Sequence, residues 1–408
     1  MAETPTLNTS RLFYLDWIRV LAFAVLIVTN CAEVFAGSKW WIANSETNDV
    51  ITDVLIFFRQ WRMPLLFIVS GVAISLMLQK RSIIQFIDDR IVRIFIPLLS
   101  GMLLVVPPMI FYIWKGEGSD VSIQQFYLNL LDFEWFPRGN FHWLHLWYLA
   151  FILIFSMAIL PIITYFKSER GKAILNKTSL IISRPAVLFP LVLIFHLPYY
   201  AAKSYLPGDN IPSLLHYFPY FVFGSLFFTH PQIRETILKI RNIALYAGMG
   251  ASILLYVLVW LKDNPAAFLS PSNSPDTLFQ QLRLALLSLN QWFWVIAITG
   301  FSIRFLSFGN KFLTYANSAV YPFYILHQPI IIIITYYLIP VDASMSFKFI
   351  AILTGTFLTI LVIYEGFLKR FTLLKLMFGL RTDIYLAKTF PRTTALLSHF
   401  IPQLKRQH

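Results

Sequence analysis

The chain has 408 residues, of which 57% are hydrophobic and only 13% charged, with a net charge of +13 and a mean hydropathy of +0.66. A soluble domain averages about 25% charged residues, so this composition excludes an ordinary soluble protein and indicates a polytopic membrane protein. The single cysteine, Cys31, excludes an intramolecular disulfide. The opening segment "MAETPTLNTSR" lacks the basic region and cleavage site of a signal peptide, so the first apolar segment is expected to stay in the protein.

Apolar runs of roughly 20 residues, the length needed to span a bilayer, recur along the whole chain. They predict an all-α polytopic membrane protein in which residues 11–370 form a single transmembrane domain and 371–408 form a basic cytoplasmic tail. About ten transmembrane helices are predicted, at about 14–36, 52–79, 91–114, 143–165, 186–206, 213–229, 241–262, 279–305, 314–339 and 346–369.

Basic residues concentrate in alternate connections between these spans, whereas the intervening loops are poor in lysine and arginine. By the positive-inside rule, both termini are predicted to be cytoplasmic. The basic tail is expected to lie on anionic membrane lipid rather than on nucleic acid. The first two basic connections contain Lys80, Arg81, Arg90 and Arg93, and then Lys167, Arg170, Lys172, Lys177 and Arg184.

The first predicted span, "RVLAFAVLIVTNCAE", carries polar residues in an otherwise apolar helix. Arg19 and Asn30 are eleven residues apart, close to three helical turns, so Asp16, Arg19, Asn30 and Glu33 fall along one stripe. Ionisable groups within a span cost a few kcal/mol each and usually face the bundle interior. The stripe therefore indicates a site, although an interfacial Asp16–Arg19 pair and an interhelical hydrogen bond from Asn30 would also explain it.

The second predicted span contains "FFRQWRMPLLFIVSG", with Arg59 and Arg62 one turn apart and Ser70 and Gly71 further along. Two arginines at this depth need anions or carbonyl groups as partners. Glu33 is one candidate partner and a bound ligand is another.

Arg90 and Arg93 lie one turn apart in "DDRIVRIFIPLL", at the entrance of the third span. Because guanidinium groups bind phosphate oxygens in pairs, this spacing suits a phosphorylated donor. Ordinary positive-inside residues would explain the same two arginines equally well.

Two histidines, His142 and His145, share a helix face in "GNFHWLHLWYLAF", with Trp147 close by. No carboxylate or thiol set accompanies them, so we predict no metal site. An aromatic belt at the membrane surface explains the tryptophans but not both histidines. A glycan contact is therefore the favoured interpretation of this stretch.

The ninth predicted span, "YANSAVYPFYILHQPIIIII", places Asn317, Tyr321, Tyr324 and Gln328 at three- and four-residue steps, with His327 near the middle of the membrane. A lone intramembrane histidine is often only a satisfied hydrogen-bonding group. Here the surrounding tyrosines and two prolines favour a site.

Taken together, these stretches resemble the integral-membrane acyltransferase-3 family, including its glucan succinyltransferase branch. The motifs "YLDWIRVLAF", "WRMPLLFIVSG", "RIVRIFIPLL", "HLWYLAF" and "YPFYILHQPII" match the family pattern in order over roughly 11–370. The resemblance implies about ten spans in the bacterial cytoplasmic (inner) membrane. It also implies transfer of an acyl group, acetyl or succinyl, from cytoplasmic acyl-CoA to a hydroxyl of an extracytoplasmic glycan, without a tightly bound cofactor. No oligomeric state is predicted.

The resemblance also assigns roles, and it exposes one departure. Arg19 matches the family's essential arginine of the first span, and Arg90 and Arg93 match its paired-arginine motif. The family has a histidine where this chain has Asn30. Asparagine cannot act as a base near neutral pH, as histidine can. Three explanations remain open: an engineered inactive substitution, a natural residue with His327 or Glu33 supplying the base, or a protein that only binds.

The site predicted from the sequence has three parts, and two other functions remain open. A transporter or flippase of a glycan or lipid-linked glycan would also use intramembrane charges and proline-broken helices, and a non-catalytic glycan sensor would tolerate Asn30. The predicted catalytic group is Asn30, Arg19, His327 and Glu33; the donor-binding group is Arg90, Arg93, Arg62, Arg59, Ser70 and Asp16; the acceptor-binding group is His145, Trp147, His142, Tyr324 and Asn317.

Overall fold

The computed structural model describes residues 12–37, 40–205, 210–260 and 278–380. Within these ranges the protein is all-α, as predicted, and an isolated bridge between Trp135 and Phe141 is the sole extended pairing. The helices are α1 Phe13–Ala32, α2 Asp49–Leu78, α3 Ile83–Gly116, α4 Ile123–Asn129, α5 Trp147–Phe166, α6 Glu169–Ile182, α7 Pro185–Leu188, α8 Leu191–Tyr205, α9 Asn210–Leu226, α10 Pro231–Trp260, α11 Leu278–Phe305, α12 Lys311–Leu338, α13 Met345–Ile363 and α14 Thr372–Met377.

Eight helical segments in the described residues are long and apolar enough to cross a membrane. A ninth is present if α6 and the following Pro185–Leu197 segment, which meet at a bend of 93°, form one broken span. The predicted spans at 186–206 and 213–229 correspond to α8 and α9, which are only 15 and 17 residues long. The predicted tail begins with α14, and its residues 381–408 lie outside the described residues.

Side-chain caps fix where the helices around the central part of the bundle begin. Asn48 accepts hydrogen bonds from the first turn of α2, and Asn310 does the same for α12. Ser82 and Gln85 form a reciprocal capping box at the start of α3. Each such cap typically stabilises a helix by about 1 kcal/mol and sets the register in which its side chains face the neighbouring helices.

Two prolines free backbone carbonyl groups inside the bundle, because proline has no N–H to donate to the residue four positions earlier. Pro64 in α2 leaves the carbonyl of Gln60 free, and the side chain of Gln291 in α11 donates to that oxygen at 2.7 Å. Pro329 in α12 likewise leaves the carbonyl group of Ile325 without a backbone donor. Polar side chains of neighbouring helices thus replace the lost backbone bonds, as expected in a membrane.

Helix α1 packs against both α2 and α12, and α2 packs closely along α9. The α2–α9 contact depends on two glycines. A Cβ atom on Gly71 would lie 2.2 Å from the carbonyl oxygen of Phe221, and one on Gly224 would lie 2.2 Å from that of Ile68. Small residues of this kind let the backbones of two membrane helices touch.

We therefore expect Gly71→Ala to destabilise the protein by about 3 kcal/mol, the upper end of the range for overpacking, because a backbone oxygen cannot move aside. Thermal unfolding in detergent measures the effect. Gly250 in α10 is the matched control, since a Cβ atom there would meet nothing within 4 Å. Equal melting temperatures for Gly71→Ala and Gly250→Ala would contradict this account of the α2–α9 contact.

Candidate active site

A cavity of about 280 Å³, here called the central cavity, lies between α1, α2, α3, α5 and α12. Trp40 and Trp41, in the connection between α1 and α2, form part of its wall, and this end of the bundle is called the tryptophan end. The polar side chains of the wall are Asn30, Arg62, His145, Tyr148, Tyr324, His327 and Gln328. Three of the predicted stretches, in the first, second and ninth spans, therefore meet at one cavity, together with the fourth.

Asn30 joins α1 to α12 at the wall of the central cavity. Its Nδ2 atom lies 3.0 Å from Nε2 of His327 and donates to Oε1 of Gln328 at 2.8 Å. An amide nitrogen carries two hydrogens, so both bonds form at once. Both N–H groups of the Asn30 amide are therefore used by α12.

Backbone carbonyl groups fix the tautomers of the two cavity histidines. Nδ1 of His327 lies 2.6 Å from the carbonyl oxygen of Tyr324, and Nε2 of His145 lies 2.9 Å from that of Ile325. A carbonyl oxygen only accepts, so each of these ring nitrogens carries the hydrogen. His327 therefore presents a lone pair at Nε2, towards Asn30, and His145 presents one at Nδ1. The two rings are 5.6 Å apart.

The arginines of α2 have different partners. Arg59 forms an ion pair with Glu33, one of the two partners that the sequence allowed. Arg62 is buried and donates to the hydroxyl of Thr29. Of these residues, only Arg62 contributes to the wall of the central cavity.

Ser70 acts on the cavity through Tyr148. The Tyr148 hydroxyl donates to the carbonyl oxygen of Leu66 at 3.3 Å, so it accepts from the Ser70 hydroxyl, 2.7 Å away. Ser70 therefore holds a wall residue in place instead of lining the cavity itself.

The predicted polar stripe on α1 divides into two clusters. Arg19 donates to Asn317 of α12 at 3.1 Å and lies 3.6 Å from Asp16. Arg19 lies about 16 Å along α1 from Asn30, at 1.5 Å per residue, and none of these three residues is part of the cavity wall. The apolar Phe23 separates the two clusters.

A second charged cluster lies at the opposite end of the bundle, here called the arginine end. The carboxylate of Asp89 accepts from Arg81 at 2.6 Å, from Arg90 at 2.8 Å and from Arg93 at 3.1 Å. The Arg90 side chain is only 10% exposed, whereas those of Arg81 and Arg93 are 30% and 31% exposed. Of the predicted pair, Arg93 is therefore the one that presents free N–H groups outside.

Four of the five predicted acceptor-binding residues lie on or beside the cavity wall at the tryptophan end, whereas Asn317 lies with Arg19 outside the wall. Trp147 and Tyr324 are wall residues, and the Tyr324 hydroxyl donates to the backbone oxygen of His145. The His142 ring lies 4.4 Å from that of Trp135, and its Nδ1 accepts from the backbone of Leu144. Burial lowers the pKa of His142 to about 4, so this imidazole is neutral near pH 7.

Several residues of these clusters, among them Arg81, Trp40 and Trp41, were not among the predicted site residues. Gln328 and Tyr148 stand in motifs that the sequence singled out, and their helical spacing from Tyr324 and His145 was the available signal. Asp89 directly precedes the predicted arginine pair. Thr29 carries no sequence signal, because a threonine in an apolar span is common.

Comparison with known proteins agrees with this architecture. Residues 12–365 match the acyltransferase domain of the acyltransferase-3 family. The glucans biosynthesis protein C of Salmonella paratyphi A is 22% identical over 386 residues, covering 90% of this chain and 94% of that protein. The protein of the same name from Salmonella heidelberg is 24% identical over the same shares. No solved structure matches the chain. The chain is a member of the acyltransferase-3 family and a multi-pass membrane acyltransferase.

Proposed function

We propose that the protein moves an acyl group, acetyl or succinyl, from cytoplasmic acyl-CoA to a hydroxyl of an extracytoplasmic glycan across the bacterial inner membrane. The observation that carries this proposal is the central cavity, where two imidazoles and a buried guanidinium share one wall. Acyl transfer to a hydroxyl needs a base and a group that stabilises a developing oxyanion. The name of the relatives supports a glucan as the acceptor.

The donor is proposed to bind at the arginine end. The partly exposed guanidinium groups of Arg81 and Arg93 suit the phosphates of CoA, while Asp89 and the buried Arg90 hold them in position. The positive-inside distribution of charge supports a cytoplasmic location for this end. Arg19, Asp16 and Asn317 would then lie between the donor's phosphates and the central cavity.

The acceptor is proposed to enter at the tryptophan end. Trp40, Trp41 and Trp147 supply aromatic surface on the cavity wall, with His142 and Tyr324 beside them as hydrogen-bonding groups. Binding sites for small molecules typically combine such apolar walls with a few fixed polar groups. A sugar ring with its hydroxyl groups fits this combination.

The base is proposed to be an imidazole of the central cavity. Asn30 has no titratable proton near pH 7. Glu33 is paired with Arg59 away from the wall. Two histidines of the wall remain, His145 and His327.

The test uses the purified full-length protein in detergent with labelled acetyl-CoA or succinyl-CoA and a glucan oligosaccharide. We expect labelled glucan and free CoA in equal amounts. Arg93→Ala is expected to weaken donor binding by about tenfold or more, the effect of losing one charge-assisted contact. Lys172→Ala, in an exposed pair with Glu169, is the control. Glycan flux in liposomes without CoA consumption would instead support a transporter.

Asn30→His, measured in the same assay, separates the explanations for Asn30. A histidine offers one N–H to the two acceptors that Asn30 now satisfies, His327 and Gln328. We therefore expect Asn30→His to be about tenfold less active, from one buried acceptor left unpaired. Acyl transfer that appears only in the Asn30→His protein would show that asparagine has replaced a catalytic histidine.

A further inference from the structure

Four residues of the central cavity carry a buried polar atom that has no hydrogen-bond partner. These atoms are Nδ1 of His145, Nε of Arg62, Nε2 of Gln328 and Nε1 of Trp40. Buried polar atoms in proteins are nearly always paired, because an unpaired one costs about 1–3 kcal/mol. Four of them around one cavity indicate that a bound molecule supplies their partners.

The chemistry of these atoms defines what the molecule must offer. In the neutral imidazole of His145, Nδ1 is a lone-pair acceptor, because Nε2 of the same ring donates to Ile325. The atoms on Arg62, Gln328 and Trp40 are all N–H donors. A hydroxyl that attacks a carbonyl group gives its proton to an acceptor, while the carbonyl oxygen becomes negative and needs hydrogen-bond donors. One acceptor with several donors suits this reaction.

His327 is less suited than His145 to take that proton. Its Nε2 lone pair already accepts from Asn30, and its Nδ1 donates to Tyr324. The residue is also only 1% exposed. Its ring has no free nitrogen for a substrate, so His327 is a positioning residue for Asn30.

The orientation of the His145 ring is set by α12. The carbonyl group of Ile325 lacks its usual helical partner, because residue 329 is a proline without an N–H. His145 supplies the missing hydrogen, and Tyr324 donates in turn to the backbone oxygen of His145. The contact with Ile325 keeps Nδ1, and not Nε2, as the basic nitrogen, and the contact from Tyr324 holds the backbone of His145 in place.

On the basis of the proposed function, we propose that His145 is the general base of the acyl transfer. Nδ1 takes the proton of the acceptor hydroxyl as its oxygen forms a bond to the thioester carbonyl carbon. The carbon–sulfur bond then breaks, and the proton on Nδ1 passes to the departing thiolate of CoA. The products are the glycan ester and CoA with a free thiol, and His145 returns to its neutral tautomer.

The test compares His145→Gln with the unchanged protein in the labelled acyl-CoA assay. Glutamine keeps a side-chain N–H for the Ile325 carbonyl but has no basic nitrogen. We expect kcat to fall by about 10²–10⁴-fold, the usual contribution of a general base, while KM for acyl-CoA and the melting temperature stay unchanged. His230→Gln, a histidine outside both charged clusters and the central cavity, is the matched control.

A second variant separates a base from a structural role. We expect added imidazole to restore activity to His145→Ala, because it can occupy the space left by the ring and accept the proton. The proposal is overturned if His145→Gln keeps kcat within about threefold of the unchanged protein, or if imidazole rescues His327→Ala and not His145→Ala. If His145→Gln is fully active, acyl transfer stands and only the assignment of the base fails. If the unchanged protein consumes no acyl-CoA, both proposals fail.

Discussion

Replacing Asp89 with alanine is expected to lower the free energy of unfolding by about 3 kcal/mol. The Asp89 side chain is 2% exposed and accepts from three arginines. Its removal leaves the nearly buried Arg90 without a counter-charge in a low-dielectric setting. We place the effect at the low end of the range for broken buried ion pairs, because Arg81 and Arg93 are partly exposed and can turn to water.

Chemical or thermal unfolding in detergent measures this effect. Asp89→Asn tests the charge alone, because asparagine has nearly the same shape and can still accept from one arginine; we expect it to fall between alanine and the unchanged protein. Glu169→Ala removes a fully exposed partner of Lys172 and should leave the melting temperature unchanged. If Asp89→Ala and Glu169→Ala melt together, the arginine cluster does not depend on a buried carboxylate.

The convergence of α1, α2 and α12 could be predicted from the sequence, because a polar side chain in a membrane helix is costly unless it faces the bundle interior. Helical spacing then tells which residues of one helix share that face. By this criterion Asn30, Arg62 and His327 face inward, and all three line the central cavity. Arg19 faces inward by the same criterion but lies outside the cavity wall, because distance along a helix does not tell where a cavity ends.

The hydrogen-bond partners could not be predicted in the same way. A proline at position 329 leaves a carbonyl group of α12 without a backbone donor, but its presence does not tell that His145, just before α5, reaches that carbonyl. The corresponding contact of Gln291 with the carbonyl group of Gln60 joins α11 to α2. Such pairs depend on how two helices cross, and that angle depends on close contacts such as the one at Gly71.

Arg62→Ala is expected to lower kcat for acyl transfer by about 10²–10³-fold, the usual cost of removing one donor to a developing oxyanion. Arg62 is the cationic side chain on the described wall of the central cavity, and its Nε has no partner within the protein. The guanidinium is held by Thr29, so its remaining N–H groups have a fixed direction. A fixed donor needs no rearrangement when the carbonyl oxygen becomes negative, and its effect is strongest where water is excluded.

Arg62→Lys tests whether direction or charge is responsible. Lysine keeps the positive charge as a compact ammonium group but has no Nε–H at the same place in the chain. We therefore expect it to recover only a small part of the activity lost in Arg62→Ala. Thr29→Val removes the contact that orients the guanidinium and should have a smaller effect than either substitution, because the donor remains. A fully active Arg62→Lys protein would show that a positive charge suffices at this position and that a directed N–H group of Arg62 is not needed. The directed hydrogen bond to the oxyanion would then have to come from an uncharged wall residue, first of all Gln328.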